Sequence, residues 1–254
     1  MRPASVVALA LMAALGACGR GGDRAEQKPE APAVPRPILA RELMQRHDGP
    51  ELRFRWSVAP EATLEPGLFR WLAADGRQSL DAMMSEARDA RAAAARSGYP
   101  FHPYDYVQSW TPAAETRQLL VMTSETDVYT GGAHGNSSFA VAVWDRKLGL
   151  KIGPWELFDD EGRAAAALTP AWCAGLADER RRRREGAAMP GFEDCPPVTE
   201  QTLVPLGPAG RITAFRIIAA PYAAGPFVEG AYAITVDAAP VAPLVKADYR
   251  KSFG

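Results

Sequence analysis

Arg117-Gln118-Leu119-Leu120-Val121-Met122-Thr123-Ser124-Glu125-Thr126-Asp127-Val128-Tyr129 is followed by Thr130-Gly131-Gly132-Ala133-His134-Gly135-Asn136. Then comes Ser137-Ser138-Phe139-Ala140-Val141-Ala142-Val143-Trp144-Asp145. The whole stretch reads as two strands joined by a glycine-rich connection. β-Branched and aromatic residues fill both arms, and Phe139, Val141 and Val143 alternate onto one face. A further strand is expected at Tyr104 to Thr111. Links this short leave no room for a parallel crossover, so the block predicts an antiparallel meander. A turn through Asp145 to Gly149 leads on to Leu150-Lys151-Ile152 and Trp155-Glu156-Leu157-Phe158.

Upstream, Leu52, Phe54, Trp56 and Val58 alternate with Arg53, Arg55 and Ser57, the period-2 pattern of a half-buried strand, and folded structure is expected to begin near Glu51. Two helices are expected next, Leu64 to Ala74 and Gln78 to Arg96. In the second, Leu80, Met83, Met84, Ala87, Ala90 and Ala94 form an apolar stripe that Gly98-Tyr99-Pro100 ends. Downstream, a helical region covers Gly162 to Arg184, where Thr169-Pro170 resembles an N-cap and a first-turn proline and so suggests two helices. Extended segments return at Arg211 to Ala219 and Ala231 to Val236. Strands in blocks with helices between them give an α+β fold, mainly antiparallel sheet with helices packed on it. It is organised as one domain or as two closely packed subdomains, 45–149 and 150–254.

The N-terminus carries a different message. Arg2, an apolar run from Val6 to Leu15, and the string Leu15-Gly16-Ala17-Cys18 together read as a lipoprotein signal peptide over 1–17, cleaved before a cysteine that becomes acylated. The apolar run is too short to span a bilayer, whereas several acyl chains on Cys18 anchor firmly, at ~0.8 kcal/mol per buried CH₂. From Cys18 to residue 44 the chain is rich in Pro, Ala and charge, a tether reaching ~80 Å if fully extended. The expected location is the cell envelope, lipid-anchored and periplasm-facing. Gly19 after the cysteine points to the outer membrane in a Gram-negative host.

Of 254 residues, three are cysteines and three are histidines, and the net charge is −1. With Cys18 acylated and the chain exported, Cys173 and Cys195 are expected to pair as a disulfide. A charge this close to zero, with both signs mixed along the chain, gives no reason to expect nucleic acid or an anionic membrane face as a partner. The run Arg180-Arg181-Arg182-Arg183-Arg184 is read as a solvated helix end, where cations favour the helix dipole, in preference to a specific anion site. No metal or cofactor is expected, since His47, His102 and His134 lie far apart in sequence and no zinc-ligand spacing occurs.

Two strings are candidates for ligand binding. In Tyr129 to Asn136, Gly131 and Gly132 permit unusual backbone geometry and His134 projects from the connection, either to meet a ligand or to bond a carbonyl or a tyrosine hydroxyl. In Pro221 to Tyr232, Tyr222 offers an aromatic edge and Glu229 a polar anchor, unless the segment is simply a bend with Tyr222 and Tyr232 packed across it. A triad of Asp127, His134 and Ser137 or Ser138 has only sequence proximity behind it, and the Gly-x-Ser-x-Gly elbow is absent. No catalytic set stands out.

Tyr129-Thr130-Gly131-Gly132-Ala133-His134, the later Trp155-Glu156-Leu157-Phe158, and Pro221-Tyr222 with Gly225 and Gly230 resemble the extracytoplasmic domain shared by RsiV-like anti-sigma factors and PdaC-like proteins. The resemblance runs from about Leu52 to Phe253. Cys173, Cys195-Pro196 and Tyr249-Arg250-Lys251-Ser252-Phe253 look like its lipoprotein branch in Gram-negative envelopes. It implies an α+β fold and an envelope role. In the anti-sigma relatives this domain recognises lysozyme, and in the deacetylase relatives it accompanies a separate catalytic domain acting on peptidoglycan. This sequence shows neither a sigma-binding segment nor deacetylase histidines, so a binding habit carries over without the chemistry. The expected function is a non-catalytic envelope lipoprotein that binds a protein or glycan, lysozyme or peptidoglycan, through Tyr129, Gly131, Gly132, His134, Tyr222 and Glu229. The alternatives are a cell-wall hydrolase or esterase using His134, and a purely structural envelope component.

Overall fold

Leu119, Leu120, Val121 and Met122 are all fully buried, although a strand points successive side chains to opposite faces. The arrangement around them explains this. In the computed structural model, which describes residues 38–254, they begin β4 (Leu119–Tyr129) of a six-stranded sheet. Leu120 and Met122 join one apolar cluster and Leu119 and Val121 another. A strand covered on both faces reads as an unbroken hydrophobic run. The expected signal peptide, Cys18 and the tether up to residue 37 lie outside the described residues.

The sheet follows chain order: β1 (Met44–Asp48), β2 (Leu52–Val58), β3 (Tyr104–Glu115), β4, β5 (Asn136–Asp145) and β6 (Leu150–Ile152). The meander from β3 to β6 is antiparallel, as its short links require. β2 and β3 run parallel, because helix α1 (Pro66–Ser97) carries the chain back between them. A second sheet, β7 (Thr202–Leu206), β8 (Ala214–Ala219) and β9 (Tyr232–Asp237), is wholly antiparallel. Helix α2 (Glu161–Arg183) precedes it. One cluster joins α1 to Leu52, Phe54, Trp56, Tyr106 and Met122; the other joins Val121 and Val143 to Trp172 of α2 and Phe215 and Ile217 of β8. The fold is α+β, and residues Ile38–Gly254 form a single compact unit.

Several sequence expectations need correction. Order begins before Glu51: a 3-10 turn at Ala40–Leu43 leads into β1, an edge strand with no fully buried residue and hence no apolar alternation to detect. The two N-terminal helices are one. Asp75-Gly76-Arg77 does not break α1, because Gly76 is where the helix presses on the Trp56 indole; a Cβ there would lie 2.8 Å from Nε1. Pro66 at its first turn and Gly98 in the left-handed region (φ 73°) close its ends. α2 is likewise one helix, N-capped by Asp160, whose carboxylate accepts from the Arg163 amide, and Pro170 is carried inside it. The Thr169 hydroxyl donates to the Ala165 carbonyl in the turn before that proline. Pro154–Leu157 forms a 3-10 turn, and Thr202–Leu206, which carries no strand expectation in the sequence, is β7.

The disulfide Cys173–Cys195 is present and ties α2 to the loop that follows it. The arginine run is not simply a solvated end. The buried Arg180 guanidinium donates to the carbonyls of Ala224, Glu193 and Asp194. Arg183 stacks over the Tyr232 ring at 4.1 Å and donates to the carbonyl of Ala231, while Arg184 pairs with Glu229. Only Arg181 and Arg182 follow the expected pattern, exposed and paired with Asp178 and Glu179 along the helix. These contacts fix the position of the segment between β8 and β9.

Candidate functional site

The double coverage of the large sheet stops partway along β4. Beyond Thr123, Ser124 and Thr126 still face the α1 side and are buried, while Glu125 and Asp127 on the opposite face are exposed. Cross-strand register places Val107 of β3 and Ser137 of β5 beside Asp127, and Asp105 beside Tyr129. Arg53 and Arg55 of β2 reach Asp105 at 2.9 and 3.1 Å. The Ser137 hydroxyl donates to Asp127. This uncovered patch combines fixed charges with hydroxyls, and partial desolvation, followed by the neighbouring Asp127 charge, raises the Glu125 carboxyl above its ordinary range.

The β4–β5 connection, 130–135, rises over the end of this patch. Gly131 takes φ +89° and packs near His102, and Gly135 brings the chain so close to Val128 that a Cβ would sit 2.9 Å from the Val128 carbonyl oxygen. His134 is then placed against the segment between β8 and β9. Its Nδ1 lies 2.7 Å from the Gly135 carbonyl oxygen and donates to it, which leaves Nε2 to accept from the Tyr222 hydroxyl at 3.1 Å. The imidazole stacks on Phe227, centroids 3.6 Å apart. Tyr222 holds φ +71°, a left-handed conformation unusual outside glycine, costing about 1–3 kcal/mol and retained only where its surroundings enforce it.

Beneath this clasp lies an open groove of about 420 Å³, walled by Arg53, Asp105, Asp127, Tyr129, Asn136 and Phe227, with Ser137 and Gly135 beside them. Carboxylates, a guanidinium, an amide and two aromatic rings converge there, a set able to hydrogen-bond hydroxyl or amide groups and to stack on an apolar ring face. Of the residues expected from sequence, Tyr129 lines the groove, and Gly131, Gly132, His134 and Tyr222 build the clasp. Glu229 does neither. Its carboxylate accepts two hydrogen bonds from Arg184, at 2.8 and 2.9 Å, and one from the Tyr232 hydroxyl; these hold its pKa below the usual range against the opposing effect of burial. Its role in the structure is to anchor the 221–230 segment.

Arg53, Asp105, Asn136 and Phe227 were not singled out in the sequence. Phe227 stood inside the Pro221 to Tyr232 string, but nothing in a linear pattern shows that β2 and β3 bring Arg53 and Asp105 side by side. Asp127 and Ser137 do meet, as the triad reading required, but His134 is directed to Tyr222 and Gly135 instead. Among the described residues no group of three or more His, Cys, Asp or Glu side chains converges as a metal site.

Comparison with known proteins agrees with the resemblance read from the sequence. Residues 62–137 match the family model described as deacetylase PdaC, a segment that takes in α1, β3, β4 and the glycine-rich connection. A DUF3298 family protein from Pseudomonas aeruginosa PAO1 superposes with a TM-score of 0.51 at 15% identity, covering 83% of this chain and 94% of that one. A DUF3298 family member from Bacteroides fragilis gives 0.49 at 14% identity, covering 79% and 85%. No curated protein matches. The chain thus carries a PdaC-like segment within a DUF3298-like fold.

Proposed function

We propose that this protein is a non-catalytic cell-envelope lipoprotein, anchored through an acylated Cys18, whose domain recognises a protein or glycan ligand, lysozyme or peptidoglycan, in the groove beneath the His134–Tyr222 clasp. The observation that carries this reading is the clasp. A histidine and a tyrosine distant in sequence meet, with a strained Tyr222 backbone, over a concave patch of polar and aromatic side chains. Strain concentrates at ligand sites because it is worth keeping only where a specific shape is needed. The engagement of both His134 ring nitrogens and its stacking on Phe227 support a positioning role over general-base work, which needs a nitrogen directed at a nucleophile.

The test is to incubate the protein with peptidoglycan and with lysozyme, measuring complex formation and looking for released products in the same samples. Saturable binding with no turnover is the expected result. Turnover lost in His134→Ala while folding persists would sink the non-catalytic reading in favour of the hydrolase. Absence of binding to both would remove these ligands.

A further inference from the structure

At the opposite end of β4 and β5 from the groove, the sheet presents a different surface. The β5–β6 hairpin carries Lys147-Leu148-Gly149-Leu150-Lys151 at its tip, with Leu148 55% and Leu150 45% exposed. The tip is held in place. The Asp145 carboxylate accepts from the amides of Lys147 (2.8 Å) and Leu148 (3.1 Å), and Gly149, at φ +67°, donates to the Asp145 carbonyl. Trp71 of α1 lies beside it, with the Lys151 ammonium 5.3 Å from its ring centroid. Leu64, 63% exposed, adjoins Glu65, whose carboxylate binds Arg146 at 2.6 Å. Leu148, Leu150, Trp71 and Leu64 are four of the nine large apolar side chains exposed among the described residues.

We infer that this corner, with Leu148 and Leu150 at its tip and Lys147 and Lys151 flanking them, docks on a phospholipid surface bearing anionic headgroups. Leucines at a rigid tip, with the α1 tryptophan beside it, enter the headgroup boundary, while lysines keep their charge among the phosphates. Among the nearby carboxylates, Glu65 and Glu115 are paired with Arg146, Asp248 lies 3.6 Å from Lys147 in an exposed, weak pair, and the half-buried Asp75 lies within electrostatic reach of Lys151.

The position of the N-terminal segment agrees. β1 begins at Met44, opposite Ser57, and runs towards Asp48 at the groove end, so the chain reaches the domain from the side away from the groove. Residues 19–37, even fully extended, span no more than ~65 Å, so a bilayer holding an acylated Cys18 stays within reach of the domain. β4 is 11 residues long, so docking at the hairpin holds the groove on the order of 35 Å from the surface, facing outward. The inference rests on the lipid-anchor reading above, and its test separates the two.

The experiment uses the full lipidated chain with vesicles containing about 30% anionic phospholipid, their acyl chains brominated near the carbonyl end. Leu148→Trp places a reporter at the tip, and its emission is compared with wild type and with unbrominated vesicles. The expected result is bromine quenching of the added tryptophan, reduced by roughly half or more in Lys147→Gln/Lys151→Gln and by high salt. Equal emission in brominated and unbrominated vesicles, with near-UV dichroism showing a native fold, would overturn the inference. So would a vesicle-free dimer that Leu148→Asp converts to monomer, which would assign the corner to a second copy. Flotation in high salt reports the anchor independently.

Discussion

The Nε2 of His134 lies 3.1 Å from the hydroxyl of Tyr222, 88 residues away in the chain, and both side chains are exposed. A contact so open to water contributes little to global stability, about 0.5–1 kcal/mol. Its effect is local, since it joins the β4–β5 connection to the segment between β8 and β9. Tyr222→Phe is therefore expected to leave the thermal midpoint within a few degrees of wild type while amide exchange accelerates around 131–135 and 222–230. Exchange unchanged there would mean that the hydroxyl plays no part in holding the clasp.

Arg184 and Glu229 form the stronger tie. Their side chains are 9% and 10% exposed, and removing one partner of such a pair typically costs about 3–5 kcal/mol by stranding the other charge. Glu229→Ala should lower stability to urea by about that amount. The pH dependence follows from the depressed carboxyl pKa. The stabilisation is fully present above the unfolded value of 4.5 and disappears as pH falls through the lower folded value. Melting curves from pH 7 down to 3 should thus converge for wild type and Glu229→Gln at the acidic end.

Gly76→Ala sets two effects of opposite sign against each other. Alanine favours a helix interior by about 1 kcal/mol over glycine. The new Cβ, however, would come within 2.9 Å of three Trp56 indole atoms, and overpacking a close-packed core costs about 1–3 kcal/mol. The indole is fully buried and cannot swing aside, so net destabilisation is predicted; an increase in the urea midpoint would show that α1 can shift away from β2.

Opening Cys173–Cys195 should cost about 3 kcal/mol, given a sequence separation of 22 residues. For a domain of this size that corresponds to a fall of roughly 6–12 °C in the melting temperature, measured with and without reductant.

How far the fold was legible depended on whether a pattern was local. Leu52 to Val58 alternates in sequence and in burial alike, and the short links from β3 to β6 dictated the meander. The continuity of α1 was not legible, because Asp75-Gly76-Arg77 looks like a break until Trp56 is seen against it. β1 was missed because an edge strand needs only backbone pairing, and its side chains face water. In the site, glycine chemistry marked the clasp, yet the groove walls come from four strands and a distant segment. Five arginines in a row looked solvated, since only the folded chain brings the Ala224 carbonyl to Arg180 and Glu229 to Arg184.

The most direct test of the account is a titration of the full chain, in detergent, with lysozyme and with soluble peptidoglycan fragments, comparing wild type with Asp127→Ala and Phe227→Ala. The account predicts saturable binding of at least one ligand, weakened roughly tenfold or more by each substitution, as loss of a central contact in a binding pocket would be, with the fold intact by circular dichroism. Binding that both substitutions leave unchanged, or no binding by the wild type, would contradict the assignment of the groove as the recognition site.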